Sequence, residues 1–384
     1  MNILFVTPKI NMDGGGSNSN TDLRIKTLLS SGHRIKVVTL FSDYNKLPRQ
    51  NPYEIIPYYR KPRLWFFVNL FVYKILKKYD RETDLFYIDG PQFLWGAGLY
   101  KLFGKKPIIL HLNVLPYVVL EHGTRLYPED SVKISLLKKI KFWLRAKIIG
   151  YIDIILGGKI DSLTCTSPII REQCIHFGFN KNNLDLLPEF IDTKIFLSHD
   201  KKRTLSKHRK HLLYVGRLVP CKGVDLLLKS LSYLKDVDIM LNIVGDGSEF
   251  SRLETLSRTL GVNNRVHFHK WIKRDELKTF YDEADIFVHP ARWAEPLGIT
   301  VVEAMMTELP VIVPKISGSA WVAGRAGLTF QNGDEKDLAE KITLLLNDDT
   351  LYEQLRSETK SEAQKLDYKE WQGKLEDLIK RLTN

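Results

Sequence analysis

Residues 211–225 read HLLYVGRLVPCKGVD, which places an apolar strand, a glycine turn and the start of a helix in direct succession. Units of this kind build parallel α/β sheets, in which ligands bind at the turns. Two cations, Arg217 and Lys222, flank the turn at Gly216. The stretch therefore predicts an α/β fold with positive charge at the end of a strand.

Further apolar strands are predicted downstream at 239–244, 265–268 and 284–289, and the first of them ends in Gly245-Asp246-Gly247. The last one leads into residues 295–304, EPLGITVVEA. Helix-starting residues there predict a helix from near Gly298, whose first N–H groups point towards the space of Glu295 and attract anions. Glu303 lies about a turn and a half inside that helix. Phosphate-binding donors beside carboxylates suit a sugar nucleotide, although the same glutamate spacing also fits a solvated helix face.

These segments, in this order, resemble the retaining GT-B glycosyltransferases of family 4, whose signature parts are G-R-L…K-G, V-G-x-G and E-x7-E followed by Ala. The likeness covers the whole second half of the chain and is looser in the first half. It implies two Rossmann-like, doubly wound α/β domains facing a cleft. It also implies transfer of a hexosyl group from a UDP- or GDP-sugar to a glycan or lipid-linked acceptor, with retention of configuration.

The resemblance assigns a role to each polar residue of this region. Arg217 and Lys222 face the diphosphate leaving group and take the place of a metal ion, while Glu303 binds ribose hydroxyls and Glu295 binds sugar hydroxyls. Front-face attack is favoured over a double displacement in which Glu295 is the nucleophile. The sequence D-x-D at 236–238 lies between a helix and a strand and is interpreted as chance, so neither a metal nor any other cofactor is predicted.

A glycine-rich loop, DGGGSN at 13–18, follows the first predicted strand and precedes a helix. Glycines allow a ligand to approach the backbone, and the helix start attracts phosphate. The resemblance favours this phosphate-binding function over a tight turn that needs positive φ.

His111 ends the apolar run 107–110, at the carboxyl edge of a predicted strand where ligands of α/β sheets bind. A lone histidine there also fits a structural hydrogen bonder. In the resembling family a histidine at this place faces the donor sugar, within T-x-H-D, whereas this chain has LHLN.

The predicted site therefore has two sets of residues. The catalytic set is His111, Glu295, Arg217 and Lys222. The donor-binding set is Gly14, Gly15, Gly16, Gly216, Gly245, Asp246, Gly247, Trp271, Pro296, Leu297, Gly298, Ile299 and Glu303.

Three further places depart from the family pattern. Glu189 and Phe190 replace Asn and Gly of P-N-G-x-D, in which Asp192 is interpreted as structural. Glu308 stands where the family has glycine, and residues 317–321, SGSAW, lack a glutamate that often follows the glycine-rich turn. The identity of the sugar therefore stays open.

Strands are also predicted in the first half, at 3–7, 35–39, 85–88, 108–111, 162–166 and 184–187, with a first helix at 21–30. This alternation predicts an N-terminal, acceptor-binding domain over 1–193 and a C-terminal, donor-binding domain over 194–366, with 194–210 as a charged linker. A final helix over about 367–384 is expected to cross back to the first domain.

Composition limits the class of protein. The chain has 384 residues, 44% hydrophobic and 27% charged, as in globular proteins. Three cysteines without metal-ligand spacing favour a reducing compartment. The short apolar N-terminus predicts a strand and not a signal peptide, and no apolar run reaches the ~20 residues that span a bilayer. We therefore expect a cytoplasmic protein, peripheral to the inner face of the plasma membrane.

The membrane expectation comes from the distribution of charge. Residues 1–190 hold 27 Lys and Arg against 16 Asp and Glu, whereas 191–384 hold 30 against 29. The excess lies in two segments rich in large apolar side chains, at about 60–78 and 133–149, which suit an anionic membrane surface. The same helices also fit packing on the domain's own sheet. Nucleic acid is disfavoured, because no recognition module or stacking platform is present.

Two other functions use the same fold. A sugar-nucleotide epimerase has the same phosphate-binding cations but needs no acceptor. A non-catalytic binding protein binds the nucleotide sugar without consuming it.

Overall fold

In a computed structural model the chain forms two compact units, each built on a parallel sheet. The structure describes residues 1–10, 16–42, 52–58, 65–114, 136–196, 210–293 and 295–384, with the backbone alone at 16–19, 65, 136–146 and 274–275. Unit 1 comprises Met1–Ile191 and Tyr368–Asn384, and unit 2 comprises Asp192–Asp367.

Within its described residues, unit 1 has a parallel sheet of seven strands in the order β3-β2-β1-β4-β5-β6-β7. The strands are β1 (Asn2–Thr7), β2 (Arg34–Thr39), β3 (Glu54–Pro57), β4 (Leu85–Asp89), β5 (Ile108–Leu112), β6 (Ser162–Cys165) and β7 (Leu184–Leu186). The helices between them are α1 (Gly16–Ser30), α2 (Trp65–Tyr79), α3 (Leu94–Lys101), α4 (Leu136–Gly157) and α5 (Pro168–His176).

The described part of unit 2 has a parallel sheet of six strands in the order β10-β9-β8-β11-β12-β13. Its strands are β8 (Lys210–Val215), β9 (Ile239–Val244), β10 (Val266–His269), β11 (Ile286–Val288), β12 (Val311–Pro314) and β13 (Gly327–Phe330). Its helices are α6 (Val224–Tyr233), α7 (Phe250–Thr259), α8 (Arg274–Glu283), α9 (Ile299–Met306), α10 (Gly318–Ala323), α11 (Glu335–Asn347) and α12 (Asp349–Gln364).

The last helix, α13 (Tyr368–Thr383), follows unit 2 in the chain but packs in unit 1. Its apolar stripe of Trp371, Leu375, Leu378 and Ile379 is buried. At its polar edge Glu376 lies 3.0 Å from His33 Nε2. The spacing of the stripe, at i, i+4, i+7 and i+8, is that of one helix face.

The predicted fold class is confirmed, because both units are parallel α/β sheets of Rossmann-like form. Central strands such as β4 and β8 are apolar along much of their length, since a parallel sheet in an α/β protein is covered on both faces. The strand β3 was missed because it is a short edge strand whose side chains are only half-buried or exposed.

Each sheet has one place where the strand order reverses, between β1 and β4 in unit 1 and between β8 and β11 in unit 2. The loops that leave the carboxyl ends of two such strands diverge and open a crevice, and ligands of doubly wound sheets bind there. In unit 2, Lys222 and Glu295 lie in the two loops that leave these strands.

Candidate active site

Lys222 and Glu295 meet at the carboxyl edge of the unit 2 sheet. Lys222 lies in the loop after β8, and Glu295 lies in the loop after β11, the strand beside β8. The Lys222 Nζ donates a hydrogen bond to Glu295 Oε2 at 2.5 Å. The loops touch closely, because a Cβ at Gly223 would lie 2.0 Å from the Pro290 carbonyl oxygen. A side chain at 223 would therefore push these two loops apart.

Two further side chains surround the same carboxylate. The Trp293 indole N–H donates to Glu295 Oε2 at 2.8 Å, and His289 Nε2 lies 3.7 Å from that oxygen. The Lys222 ammonium also lies 5.8 Å from the centre of the Trp293 ring. The Glu295 N–H also donates to the Trp293 carbonyl at 2.8 Å, which holds the two residues close together.

The environment keeps Glu295 ionised. Burial by itself would raise the pKa of Glu295, but the Lys222 ammonium and His289 outweigh it and hold that pKa well below its usual range. Burial lowers the pKa of His289, and Glu295 offsets this only in part. His289 is therefore neutral near pH 7, and the ionic partners are Lys222 and Glu295. Removing one partner of such a buried pair typically costs 3–5 kcal/mol.

The helix predicted near Gly298 begins there, since α9 starts at Ile299 and Gly298 is its N-cap, with φ +90°. A second glycine brings α10 to the same loop. The Gly318 N–H donates to the Glu295 carbonyl at 2.6 Å, and a Cβ on Gly318 would lie 1.9 Å from the Pro296 carbonyl oxygen. The main chain of 295–298 is thus held from both sides.

The other predicted residues of unit 2 occupy the same carboxyl edge in different states of exposure. Arg217 is exposed in the loop after β8, and Trp271, which follows β10, is 63% exposed.

Gly245 packs on the Gly216 backbone, where a Cβ would lie 1.9 Å from the Gly216 carbonyl oxygen. Glu303 is buried in α9, and its Oε2 accepts a hydrogen bond from the Tyr281 hydroxyl at 3.0 Å. The remaining members are Gly247 and Asp246 after β9, and Pro296, Leu297 and Ile299 beside Gly298.

In unit 1 the structure places His111 in a buried ionic cluster. Its Nδ1 lies 2.9 Å from the Thr164 hydroxyl and its Nε2 lies 3.3 Å from Glu189 Oε1. Arg24 Nη2 donates to Glu189 Oε2 at 2.9 Å. Burial opposes ionisation, but Arg24 and His111 lower the pKa of Glu189 to about 2. Arg24 Nη2 also lies 3.3 Å from His111 Nε2, so this ring nitrogen faces both a carboxylate oxygen and a guanidinium N–H.

This cluster bears on the predicted contact between His111 and the donor sugar. Both of its ring nitrogens have partners within unit 1, so the predicted contact with a sugar requires one of those partners to be exchanged. Of the predicted glycine loop, Gly14 and Gly15 lie outside the described residues, and Gly16 is the first residue of α1.

Sequence reasoning missed three of the side chains that define these sites. His289 directly follows β11, so the argument that selected His111 at a strand end would also have found it. Trp293 stands two positions before Glu295, and only its side-chain hydrogen bond shows its importance. Arg24 gave no signal within α1, because its partners come from β4 and from residue 189.

Family models match both halves of the chain. Residues 14–195 match Glycosyltransferase Family 4, and residues 197–362 match Glycosyl transferases group 1. The chain belongs to the group 1 glycosyltransferases. The predicted family is thereby confirmed, and transfer of a glycosyl group is the class of reaction.

Similar proteins agree with this assignment. An uncharacterized glycosyltransferase from Methanocaldococcus jannaschii is 26% identical over 306 residues, which cover 76% of this chain and 74% of the relative. The match covers 65% of mannosylfructose-phosphate synthase from Agrobacterium fabrum and 49% of D-inositol 3-phosphate glycosyltransferase from an Arthrobacter species. Sucrose-phosphate synthase from Thermosynechococcus elongatus has a TM-score of 0.80 at 18% identity, with 99% and 98% of the two chains covered. Anabaena HepE in complex with UDP-glucose has a TM-score of 0.75 at 18% identity, with 99% and 100% covered.

Neither a metal-binding cluster nor a membrane-spanning helix occurs in the described residues of this glycosyltransferase. Among the described residues, no group of three or more His, Cys, Asp or Glu side chains could hold a metal ion. The D-x-D at 236–238 precedes β9 and therefore lies at the sheet edge opposite Glu295. Within the same part of the chain, every helix is too short or too polar to cross a bilayer.

Proposed function

We propose that this glycosyltransferase moves a hexosyl group from a UDP- or GDP-sugar to a hydroxyl of a glycan or lipid-linked acceptor, with retention of configuration. The observation that carries the proposal is the Lys222–Glu295 pair at the switch point of unit 2, with Arg217 exposed in the same loop as Lys222. In the reaction the anomeric C–O bond to the diphosphate breaks, and a bond from the anomeric carbon to the acceptor oxygen forms. The leaving phosphate takes the acceptor's proton.

The cations of this loop act on the leaving group. Negative charge grows on the diphosphate as the C–O bond breaks, and groups aimed at that charge lower the barrier. Lys222 and Arg217 supply two positive charges, and the start of α9 supplies oriented N–H groups. These fixed groups perform the task that a divalent metal performs in other phosphate chemistry, so the reaction is proposed to need no metal.

Glu295 is proposed to bind sugar hydroxyls and not to attack the anomeric carbon. Its carboxylate has a strongly lowered pKa and already accepts N–H bonds from Lys222 and Trp293. A carboxylate so stabilised is a weak nucleophile, which favours front-face attack over a covalent intermediate. Its negative charge also favours the oxocarbenium character of the transition state.

The nucleoside is proposed to bind along the carboxyl ends of β9 and β10. Gly245 and Gly247 let the turn after β9 pack directly against the backbone of the loop after β8. The exposed Trp271 ring offers a surface on which a base can stack. Glu303, oriented by Tyr281, is assigned to the ribose hydroxyls. The UDP-glucose bound to HepE, a protein of the same fold, supports a nucleotide sugar as the donor.

The acceptor is proposed to be reached from the cytoplasmic surface of a membrane, through helices α2 and α4 of unit 1. Both helices pack against α3. Phe66 and Phe67 of α2 are 57% and 60% exposed, and α4 exposes an apolar stripe at Ile148, Tyr151 and Ile155. Exposed lysines accompany them, namely Lys74, Lys77, Lys78 and Lys147. Aromatic side chains beside lysines suit an anionic bilayer surface.

Vesicle sedimentation tests this membrane contact. We expect the protein to sediment with phosphatidylglycerol vesicles and not with phosphatidylcholine vesicles, and a double Phe66→Ser, Phe67→Ser variant to lose most of this binding. Phe103→Ser is the matched control, because Phe103 is 80% exposed but lies outside both helices. Equal losses in the two variants, or no sedimentation at all, would contradict the proposal.

Nucleotide binding tests the donor site first. Thermal shifts with UDP, GDP, ADP and CMP should show one stabilising diphosphate, since a ligand at 100 times its Kd adds about 2.7 kcal/mol to stability. Arg217→Ala should lose this shift. Absence of a shift with every nucleotide would contradict a donor site in unit 2.

Consumption of the matching sugar nucleotide then separates the alternatives. A transferase consumes donor only when an acceptor is present, apart from slow hydrolysis. Conversion to an isomeric sugar nucleotide without acceptor would identify an epimerase. Tight donor binding with no turnover, with or without acceptor, would favour a binding protein.

A further inference from the structure

The two oxygens of the Glu295 carboxylate have different surroundings. Oε2 accepts hydrogen bonds from Lys222 and Trp293 and lies 3.7 Å from His289 Nε2. Among the residues that the structure describes, none donates a hydrogen bond to Oε1. The contacts thus converge on one oxygen and leave the other as an acceptor.

We infer that Trp293 and His289 are positioning residues, which hold Glu295 so that Oε1 accepts a hydrogen bond from a hydroxyl of the donor's sugar. The inference rests on the proposed function and deepens it. It assigns the recognition of the sugar, as distinct from the nucleoside diphosphate, to a set of three contacts on a single carboxylate oxygen.

The chemistry of the two side chains suits this task. An indole N–H donates only, so Trp293 cannot change its role when a ligand binds. His289 is 2% exposed, and among the described residues neither of its ring nitrogens has a hydrogen-bond partner. An Nε2–H would point to the ionised carboxylate 3.7 Å away, an electrostatic contact longer than a hydrogen bond. Both groups are neutral, and they therefore orient the carboxylate without cancelling its negative charge.

Lys222 could not hold Glu295 alone during the reaction. The same ammonium is proposed to face the diphosphate, and a phosphate oxygen competes with Glu295 for its N–H groups. Trp293 and His289 are not drawn away in this manner, because neither carries a charge that a phosphate attracts. Glu295 consequently keeps its orientation while Lys222 turns to the leaving group.

The inference is tested by comparing the affinities for a nucleoside diphosphate and for its sugar nucleotide. Calorimetry uses the full chain, with UDP and UDP-glucose or GDP and GDP-mannose, according to the base that stabilises the wild type. Trp293→Phe keeps an aromatic ring beside Lys222 but lacks the N–H. We expect it to bind the diphosphate within about twofold of the wild type and the sugar nucleotide about tenfold more weakly, since the charged carboxylate loses a hydrogen bond that orients it.

A second variant and a control complete the design. His289→Asn, which keeps a neutral donor on a shorter side chain, should weaken sugar-nucleotide binding less than His289→Ala does. Trp371→Phe removes a tryptophan from unit 1 and should alter neither affinity. Thermal melting of each variant without ligand verifies that it is folded.

The outcomes separate this inference from the proposed function. Trp293→Phe with unchanged affinity for the sugar nucleotide overturns the inference and leaves the proposed function standing. Equal losses for diphosphate and sugar nucleotide also overturn it, because Trp293 then supports the nucleotide and not the sugar. A wild type that binds neither ligand contradicts the proposed function itself, and the inference falls with it.

Discussion

Glu308 holds a left-handed backbone, with φ 62°, in the turn before β12 where the family pattern has glycine. Its carboxylate pairs with Arg356 at 2.5 Å and Lys360 at 2.6 Å. Such partly exposed pairs contribute up to about 1 kcal/mol each, and left-handed strain costs ~1–2 kcal/mol. We therefore expect Glu308→Gly to leave the free energy of unfolding nearly unchanged, and Glu308→Ala to be about 1 kcal/mol less stable than Glu308→Gly. Urea unfolding of both variants measures the difference, and equal stabilities would contradict the strain.

Single residues were predictable where chemistry and position coincide. Glu295, Lys222 and the helix start at Gly298 follow from a motif that lies within one stretch of chain or two neighbouring loops. Arg24 could not be selected in this way, because its partners Asp89 and Glu189 are brought near only by the folded sheet. His289 was open to the strand-end argument that selected His111, and Trp293 has its partner two positions away but no motif that marks it. Glu189 was recognised as a departure from the family, but its pairing with Arg24 and His111 required the structure.

At the scale of elements, α4 carries a buried carboxylate that should make stability depend on pH. Asp153 is 2% exposed, accepts a hydrogen bond from the Trp95 indole at 2.6 Å, and faces the α3 side of the helix. Burial raises the pKa of Asp153 to about 7, although the Trp95 hydrogen bond acts in the opposite direction. The folded pKa therefore lies above the unfolded value of about 3.9. The folded state thus binds the extra proton between these two values.

Stability should accordingly fall as pH rises from about 4 to 7, by up to ~1.4 kcal/mol per pH unit from this group, and should then level off. Asp153→Asn removes the titration and keeps an oxygen for Trp95. We expect its stability relative to the wild type to increase from pH 5 to pH 7 and to stay constant from pH 8 to pH 9. Thermal melts across this range measure the gap, and Asp161→Asn is a control at a more exposed aspartate of unit 1. A gap that does not change with pH would refute the assignment.

The apolar pattern of the sequence predicts some helices and strands better than others. Strands such as 239–244 were predicted at their observed bounds, because a central parallel strand is a continuous apolar run between turn residues. The first helix was predicted at 21–30 but begins at Gly16, since its first turn is GSNSN and shows no apolar period. The edge strand β3 lacked a signal for the related reason that few of its side chains are buried.

At the scale of the whole molecule, chain order and packing order differ. The final helix α13 follows unit 2 in sequence, yet its buried stripe and its hydrogen bonds from Gln372 to Ser31 and from Arg381 to Asp185 all lie in unit 1. Helical periodicity in the sequence predicts that α13 exists and has one apolar face. It does not show which unit receives that face, and that expectation came from the family resemblance alone.

The packing of α13 allows a matched pair of core substitutions, one in each unit. Leu375 of α13 is 1% exposed and Leu345 of α11 is 0% exposed, so each Leu→Ala change should cost about 2–5 kcal/mol through lost burial and a cavity. Because α13 packs in unit 1, we expect Leu375→Ala to speed hydrogen exchange in β1 and β4 and to leave β8 and β11 protected. Leu345→Ala should do the reverse. Hydrogen exchange with peptide resolution measures both effects, and faster exchange in β8 on Leu375→Ala would mean that the energy of α13 is shared with unit 2.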